Sequence, residues 1–137
     1  VMKIVSVCAC TSGIAHTYIA KEKLIRAAES MGHTIKVETQ GTIGTEDELT
    51  AEEIKEVMKE AGESYGLSEV GEQGYSIAAK TGTAERGDGT NNAWLVTFAP
   101  VDDPQYIIVA NRLKTTEIGK TLAPVVEDLY DTLFDHE

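Results

Sequence analysis

The sequence lacks any long hydrophobic run. No apolar stretch among its 137 residues approaches the roughly 18 residues that a membrane-spanning helix needs. The apolar opening VMKIVSVCAC is short, and the segment after it has a helical pattern rather than that of a signal-peptide cleavage region. No membrane insertion is therefore expected, and the sequence predicts a cytoplasmic protein.

Positive charge is also scarce. The chain has 12 Lys and Arg against 23 Asp and Glu, which gives a formal net charge of -11. Such a chain repels the phosphate backbone of DNA and RNA and offers no basic surface to hold it. Nucleic acid is therefore not expected as a partner.

Cysteine is limited to Cys8 and Cys10. In an extended strand, residues two positions apart cannot form an unstrained disulfide, so reduced thiols are expected. The three histidines are scattered, and no second Cys or His pair stands at ligand spacing. The sequence therefore predicts no metal site, and nothing in it indicates a cofactor.

The first part of the chain has the pattern of a strand, a helix and a second strand. KIVSVC (3–8) is short, apolar and β-branched, which favours a strand. Ala20, Leu24, Ala27 and Met31 recur at helical spacing within a helix predicted from Ile14 to Met31, and Gly32 follows as its left-handed cap. HTIKVET alternates like a strand. The opening is predicted to be β-α-β with parallel strands.

The second part reads as a helix, three consecutive strands and a final helix. Thr50 and Glu53 form a capping-box pattern at the start of a helix that is predicted to end at Gly62. Strand-like runs follow in YSIAAKTGTA, AWLVTFA and QYIIVAN, and short connections between them indicate an antiparallel meander. The last helix is predicted from the spacing of Leu122, Val126, Leu129 and Leu133.

The predicted fold class is mixed α/β (α+β), in the order β-α-β-α-β-β-β-α. It has a parallel start, an antiparallel three-strand meander and a C-terminal helix. The change from alternating to consecutive strands falls near residues 56–74, and a predicted helix runs across it. We therefore expect one compact domain over residues 1–137, built on one mixed sheet.

Cys10 lies between the first strand and the first helix, where backbone N–H groups and the positive end of a helix converge on an anion. Such surroundings can also make a thiol nucleophilic. Ser12 and Thr17 add hydroxyl donors, and Gly13 allows close backbone approach. His16 stands where a phosphatase loop would place an arginine, which favours holding a phosphoryl group over hydrolysing it. The alternative is an inert small residue at a strand end, with His16 facing solvent.

VCACTSGIAHTYIA, followed by HTIKVETQGTIGTEDELTAEEI, resembles the first half of the fructose-type enzyme IIB domain of the bacterial phosphotransferase sugar-uptake system. The resemblance covers about residues 2–55. It implies that Cys10 is the catalytic residue, phosphorylated by a histidine-carrying IIA partner before transfer to sugar at the membrane component. It also implies a phosphate-binding loop made of Thr11, Ser12, Gly13, Ile14, Ala15, His16 and Thr17. Thr11 here replaces the family's common proline, and Cys8 its more usual threonine.

YSIAAKTGTAE, NNAWLVTFAPVDDPQYIIVA and APVVEDLYDTLF resemble the C-terminal end of a penicillin-binding transpeptidase domain, over about residues 56–137. The resemblance implies that Lys80, Thr81, Gly82 and Thr83 lie on an edge strand beside an active site. Acyl transfer also needs a serine nucleophile, which this family carries in S-x-x-K, and a second motif, S-x-N. The sequence contains neither motif, so Lys80 is expected to be a solvated lysine on a vestigial strand.

Two incomplete family segments, 1–55 and 56–137, thus indicate a composite chain, recombined or engineered. Three hypotheses follow. The chain is a remnant phosphocysteine carrier or anion binder with phosphotransferase ancestry; or it is a structural chimera with no physiological activity; or it is a transpeptidase fragment, inactive for lack of a serine nucleophile. The first predicts anion binding at Cys10 without efficient sugar phosphorylation.

Overall fold

The computed structural model describes residues 1–10, 14–67 and 69–135. It divides into two compact units, Val1–Val57 and Met58–Glu137. The elements are β1 (Lys3–Ala9), α1 (Ile14–Ser30), β2 (Thr34–Gly41), β3 (Gly44–Glu46), α2 (Ala51–Ser64), β4 (Ala78–Glu85), β5 (Asn91–Ala99), β6 (Tyr106–Thr115) and α3 (Ala123–Phe134). The mixed α/β class and the predicted order of the main elements are confirmed.

The expectation of one mixed sheet is wrong. The described residues form two three-stranded sheets, β1-β2-β3 and β4-β5-β6. In the first sheet β1 and β2 are parallel, as predicted, and β3 adds an antiparallel strand that the sequence pattern did not predict. This strand has three residues, including one glycine, and carries no hydrophobic alternation.

The end of α1 and the start of α2 follow the predicted capping chemistry, whereas α2 does not end at Gly62 as predicted but continues to Ser64. Gly32 has a φ of 75° and closes the end of α1, where its N–H donates to the Glu29 carbonyl at 2.9 Å. At the start of α2 the Glu53 N–H donates to Thr50 Oγ1 at 3.2 Å, and the Thr50 N–H donates to Glu53 Oε2 at 2.9 Å. The capping box is therefore reciprocal.

The apolar face of α1 differs from the one that its spacing indicated. Thr17 and Ala28 are buried, whereas Leu24 and Met31 are exposed. The apolar residues of α1 itself lie on several of its sides, so their spacing is compatible with more than one buried face.

In the second unit β4, β5 and β6 form the predicted antiparallel meander. Its core contains alternate residues of β5, together with Val126, Tyr130 and Phe134 of α3. Leu129 and Leu133, which helped to predict α3, are exposed. The aromatic residues at i+4 spacing occupy the core instead, and the ring centroid of Phe134 lies 4.7 Å from that of Tyr75.

Candidate functional site

Cys10 directly follows β1, at the end of the sheet where α1 begins. Its N–H donates to the Gln40 carbonyl at 3.2 Å, which extends the parallel pairing with β2 by one residue. The thiol is half-buried. Three of the predicted phosphate-binding residues, Thr11, Ser12 and Gly13, lie outside the described residues.

The structure brings three predicted site residues into one groove. Cys10, His16 and Thr17 line a groove of about 380 Å³ together with Val7, Cys8, Ala9 and Ala20. Thr17 is buried, whereas His16 is exposed on the first turn of α1. Ile14 begins the helix, and Ala15 is exposed beside His16. A cysteine, a histidine and a threonine therefore line one opening near a helix N-terminus, where anions are favoured.

A second groove, of about 290 Å³, adjoins Cys10 from the side of β2. It is lined by Ala9, Cys10, Gln40, Gly41 and Thr42. The last three were missed as site residues, although they fall in or next to the KVETQG stretch that carried the family resemblance. The signal was the parallel pairing itself, because parallel strands bring their carboxyl ends to the same edge of a sheet.

Glu38 is a buried carboxylate on β2, just before this second groove, with 6% of its surface exposed. Its Oε2 accepts the Leu49 N–H at 2.7 Å, and its Oε1 accepts Gln40 Nε2 at 2.6 Å. These two hydrogen bonds, with the Leu49 N–H contributing most, hold the pKa of Glu38 below its usual range, and the charge of Lys36 adds to them. Glu38 thereby fixes both the Gln40 side chain and the chain segment that leads into α2.

Two contacts attach α1 to β3 and the residue after it. The Tyr18 hydroxyl donates to Glu46 Oε2 at 2.6 Å, and this hydrogen bond raises the pKa of Tyr18. Lys21 forms an ion pair with Asp47, and the bond from its ammonium lowers the pKa of that carboxyl. Both contacts lie on the first half of α1, which carries the predicted anion-binding turn.

The lysine-threonine-glycine motif lies on β4, an edge strand of the second sheet. Lys80 is exposed, and its ammonium donates to the Thr81 carbonyl at 2.7 Å. Thr83 Oγ1 accepts the Gly119 N–H at 3.4 Å. Strand alternation places Lys80 and Gly82 on one face and Thr81 and Thr83 on the other. Lys80 and Thr83 of the motif therefore form hydrogen bonds with residues of the second unit itself.

The described residues contain neither a cluster of metal-binding side chains nor a helix that could span a membrane. No group of three or more His, Cys, Asp or Glu within residues 1–10, 14–67 and 69–135 is arranged to hold a metal ion. Over the same ranges, none of the helices has the length and hydropathy needed to cross a membrane.

Comparison with known proteins shows two similarities. The family model of the penicillin binding protein transpeptidase domain matches residues 16–131. This match begins well before residue 56, where the sequence resemblance to that family begins. A fructose-like EIIB component 2 of the phosphotransferase system from Escherichia coli K12 is 60% identical over 52 residues, which are 38% of this chain and 49% of that protein. The fructose-specific EIIB component of Haloferax volcanii is 51% identical over 55 residues, 40% of this chain and 35% of that protein.

Two solved structures are also similar to parts of this chain. A predicted fructose-specific IIB protein from Escherichia coli has a TM-score of 0.40 and 41% identity, covering 41% of this chain and 50% of that chain. The D,D-transpeptidase domain of a peptidoglycan glycosyltransferase from Eggerthella lenta has a TM-score of 0.44 and 26% identity, covering 61% of this chain and 18% of that chain. The chain spans about half the length of the first curated relative. It belongs to the penicillin binding protein transpeptidase domain family, and it is composite in that a stretch of 52 residues is similar to fructose-type EIIB components.

Proposed function

We propose that the groove at Cys10 binds phosphate-class anions and that Cys10 acts, at most, as a phosphocysteine carrier. The observation that carries this proposal is the shared groove of Cys10, His16 and Thr17 at the first turn of α1. Exposed N–H groups and the helix dipole favour an anion at such a position. The exposed His16 imidazole is a polar group suited to its oxygens.

The phosphoryl donor would be a histidine-phosphorylated IIA-type protein, by analogy with the phosphotransferase proteins that this chain resembles. The Cys10 thiolate would attack phosphorus, so that an S–P bond forms as the N–P bond of the donor breaks. The donor imidazole leaves and takes up a proton. The thiolate is the reactive form, because the neutral thiol is a weak nucleophile. Efficient delivery to a sugar is not proposed, because the chain spans about half of its EIIB relative.

Acyl transfer is not proposed, although the chain belongs to the transpeptidase family. The sequence holds neither S-x-x-K nor S-x-N, so it supplies no activated serine in the family's usual context. The Lys80 ammonium also donates its hydrogen bond to the neighbouring Thr81 carbonyl. A structural chimera without physiological activity is the alternative that the experiment below must exclude.

The expected partners are phosphate or a IIA-type phosphoryl donor, and nucleic acid is not expected. The expected compartment is the cytoplasm. The net charge of -11 supports the exclusion of nucleic acid, since a negatively charged chain repels a polyanion.

The carrier proposal is tested by incubating the 137-residue chain with a phosphorylated IIA-type protein and following the thiophosphate by intact mass and ³¹P NMR. Cys8→Ser is the matched control, because it removes the neighbouring thiol and leaves the acceptor. We expect uptake by the parent chain and by Cys8→Ser, and none by Cys10→Ser. No uptake by the parent chain, or equal uptake by Cys10→Ser, overturns the carrier role.

A further inference from the structure

The second thiol, Cys8, has no part in the proposed phosphoryl chemistry, yet it lines the same groove as Cys10. Both thiols are half-buried. The Cys10 N–H continues the pairing of β1 with β2, so the backbone stays extended up to this residue. Side chains two positions apart in an extended strand point to the same face. We propose that Cys8 and Cys10 together form a two-coordinate site for a soft monovalent ion, Cu(I).

The spacing of the two thiols suits a bridging ion and does not suit a disulfide. Two residues along a strand advance about 6.6 Å, whereas the Cβ atoms of a disulfide stand only about 3.5–4.5 Å apart. Two collinear metal–thiolate bonds of about 2.3 Å each place the two sulfurs about 4.6 Å apart. Rotation of the two side chains toward each other closes the remaining gap without moving the backbone.

The ligand set selects the class of ion. Thiolates are soft ligands that favour Cu(I), zinc and iron–sulfur clusters. Zinc requires about four ligands, and in the described part of the chain no three metal-binding side chains are grouped to supply them. Cu(I) accepts two thiolates in a linear arrangement. The sequence pattern argued against a tetrahedral zinc site, and the two-thiol groove is a different kind of site.

The binding step balances without an oxidant or reductant. Each thiol gives its proton to solvent, two Cu–S bonds form, and copper stays in the +1 state. Binding should therefore weaken as the pH falls, because protons compete for the thiolates. The ion engages Cys10, so it should also block phosphorylation there. The Cu(I) site does not depend on the proposed carrier function, and its test is independent of that function.

The experiment is an anaerobic titration of the 137-residue chain with Cu(I), buffered by a chromophoric Cu(I) chelator. We expect one Cu(I) per chain and an ultraviolet thiolate-to-copper charge-transfer band. Cys8→Ser and Cys10→Ser should each weaken binding by at least about tenfold, since even the loss of an outer-shell partner costs about that much. Lys80→Ala, which lies on the second sheet and keeps both thiols, should bind as the parent chain does.

Circular dichroism and amide NMR spectra show that each variant is folded, and Cys8→Ala replaces Cys8→Ser if the serine variant is not. Undiminished affinity in either cysteine variant overturns the proposal, because one thiol would then suffice. One ion per two chains overturns it as well, because the copper would then bridge thiols of different molecules.

Discussion

The buried carboxylate of Glu38 accepts the backbone N–H of Leu49 at 2.7 Å, which joins β2 to the segment that leads into α2. The same carboxylate holds the Gln40 side chain beside the second Cys10 groove. A group at the edge of the candidate site is thus also a structural link of the first unit.

Glu38→Gln should lower the urea midpoint of unfolding at neutral pH, because a neutral amide is a weaker acceptor and brings an N–H₂ group toward the Leu49 N–H. The pKa of Glu38 is lowered in the folded chain, so its stabilisation is present above the ordinary glutamate pKa of about 4.3 and is lost as the pH falls through the folded value. The difference between parent and variant should therefore be largest above about pH 5 and vanish in strong acid. A difference that persists unchanged at low pH would contradict an ionised Glu38.

Tyr130→Phe should destabilise the second unit by about 0.5–1.5 kcal/mol, the usual net value of a hydrogen bond. The Tyr130 and Thr97 hydroxyl oxygens are 2.9 Å apart, and both residues are fully buried. Tyr75→Phe is a matched control, since it also removes a hydroxyl from a ring that contacts Phe134. Equal losses in the two variants would argue against a special role for the buried pair.

Alkaline pH should also destabilise the second unit through Tyr130. Burial raises the pKa of its phenol, so the neutral form is favoured in the folded state. Its contribution is complete below the ordinary tyrosine pKa of about 10 and is lost as the pH rises through the folded value. Chemical unfolding between pH 9 and about 11 should show a steeper loss for the parent chain than for Tyr130→Phe.

Gly119→Ala should destabilise the chain by about 1–3 kcal/mol, the usual cost of forcing atoms into a packed site. A Cβ at this position would clash with the Trp94 carbonyl oxygen, which belongs to the backbone of β5 and cannot rotate away. Gly82→Ala is the control, since its Cβ would meet only the Trp94 Cβ, at 3.6 Å. Thermal unfolding of both variants should separate them clearly, and similar melting temperatures would contradict this close approach.

Lys80→Ala should change stability by no more than about 0.5 kcal/mol, because the side chain is exposed on an edge strand. Neither this variant nor the parent chain should form a covalent adduct with a β-lactam. Intact mass after prolonged incubation with penicillin measures this directly. An adduct on the parent chain would revive the transpeptidase interpretation.

Local signals in the sequence predicted the end of α1 and the start of α2, because capping is a short-range interaction, but the glycine signal at Gly62 did not end α2. Thr50 and Glu53 cap each other, and Gly32 has the left-handed backbone that its place required. The face that each helix buries depends on distant neighbours. Leu129 and Leu133 fitted the helical spacing of α3, but Tyr130 and Phe134 bury the larger aromatic surface.

In the candidate site, too, the residues that are close in the sequence could be predicted, and those brought in by a distant strand could not. Cys10, His16 and Thr17 are close in the sequence, so their shared groove could be expected from one strand-to-helix junction. Gln40 and Thr42 reach Cys10 because β2 pairs with β1. The sequence predicted this parallel pairing but not its register, which sets Gln40 opposite Ala9. The single-domain expectation for residues 1–137 stays a prediction.

We expect an anion to bind at Cys10, and a phosphate titration followed by backbone amide NMR measures this binding. The parent chain and Lys80→Ala should show the same saturable shifts, confined to residues 10–17, and Cys10→Ser should alter them. No shifts at millimolar phosphate, or shifts centred on residues 80–83 that vanish in Lys80→Ala, would contradict anion binding at Cys10.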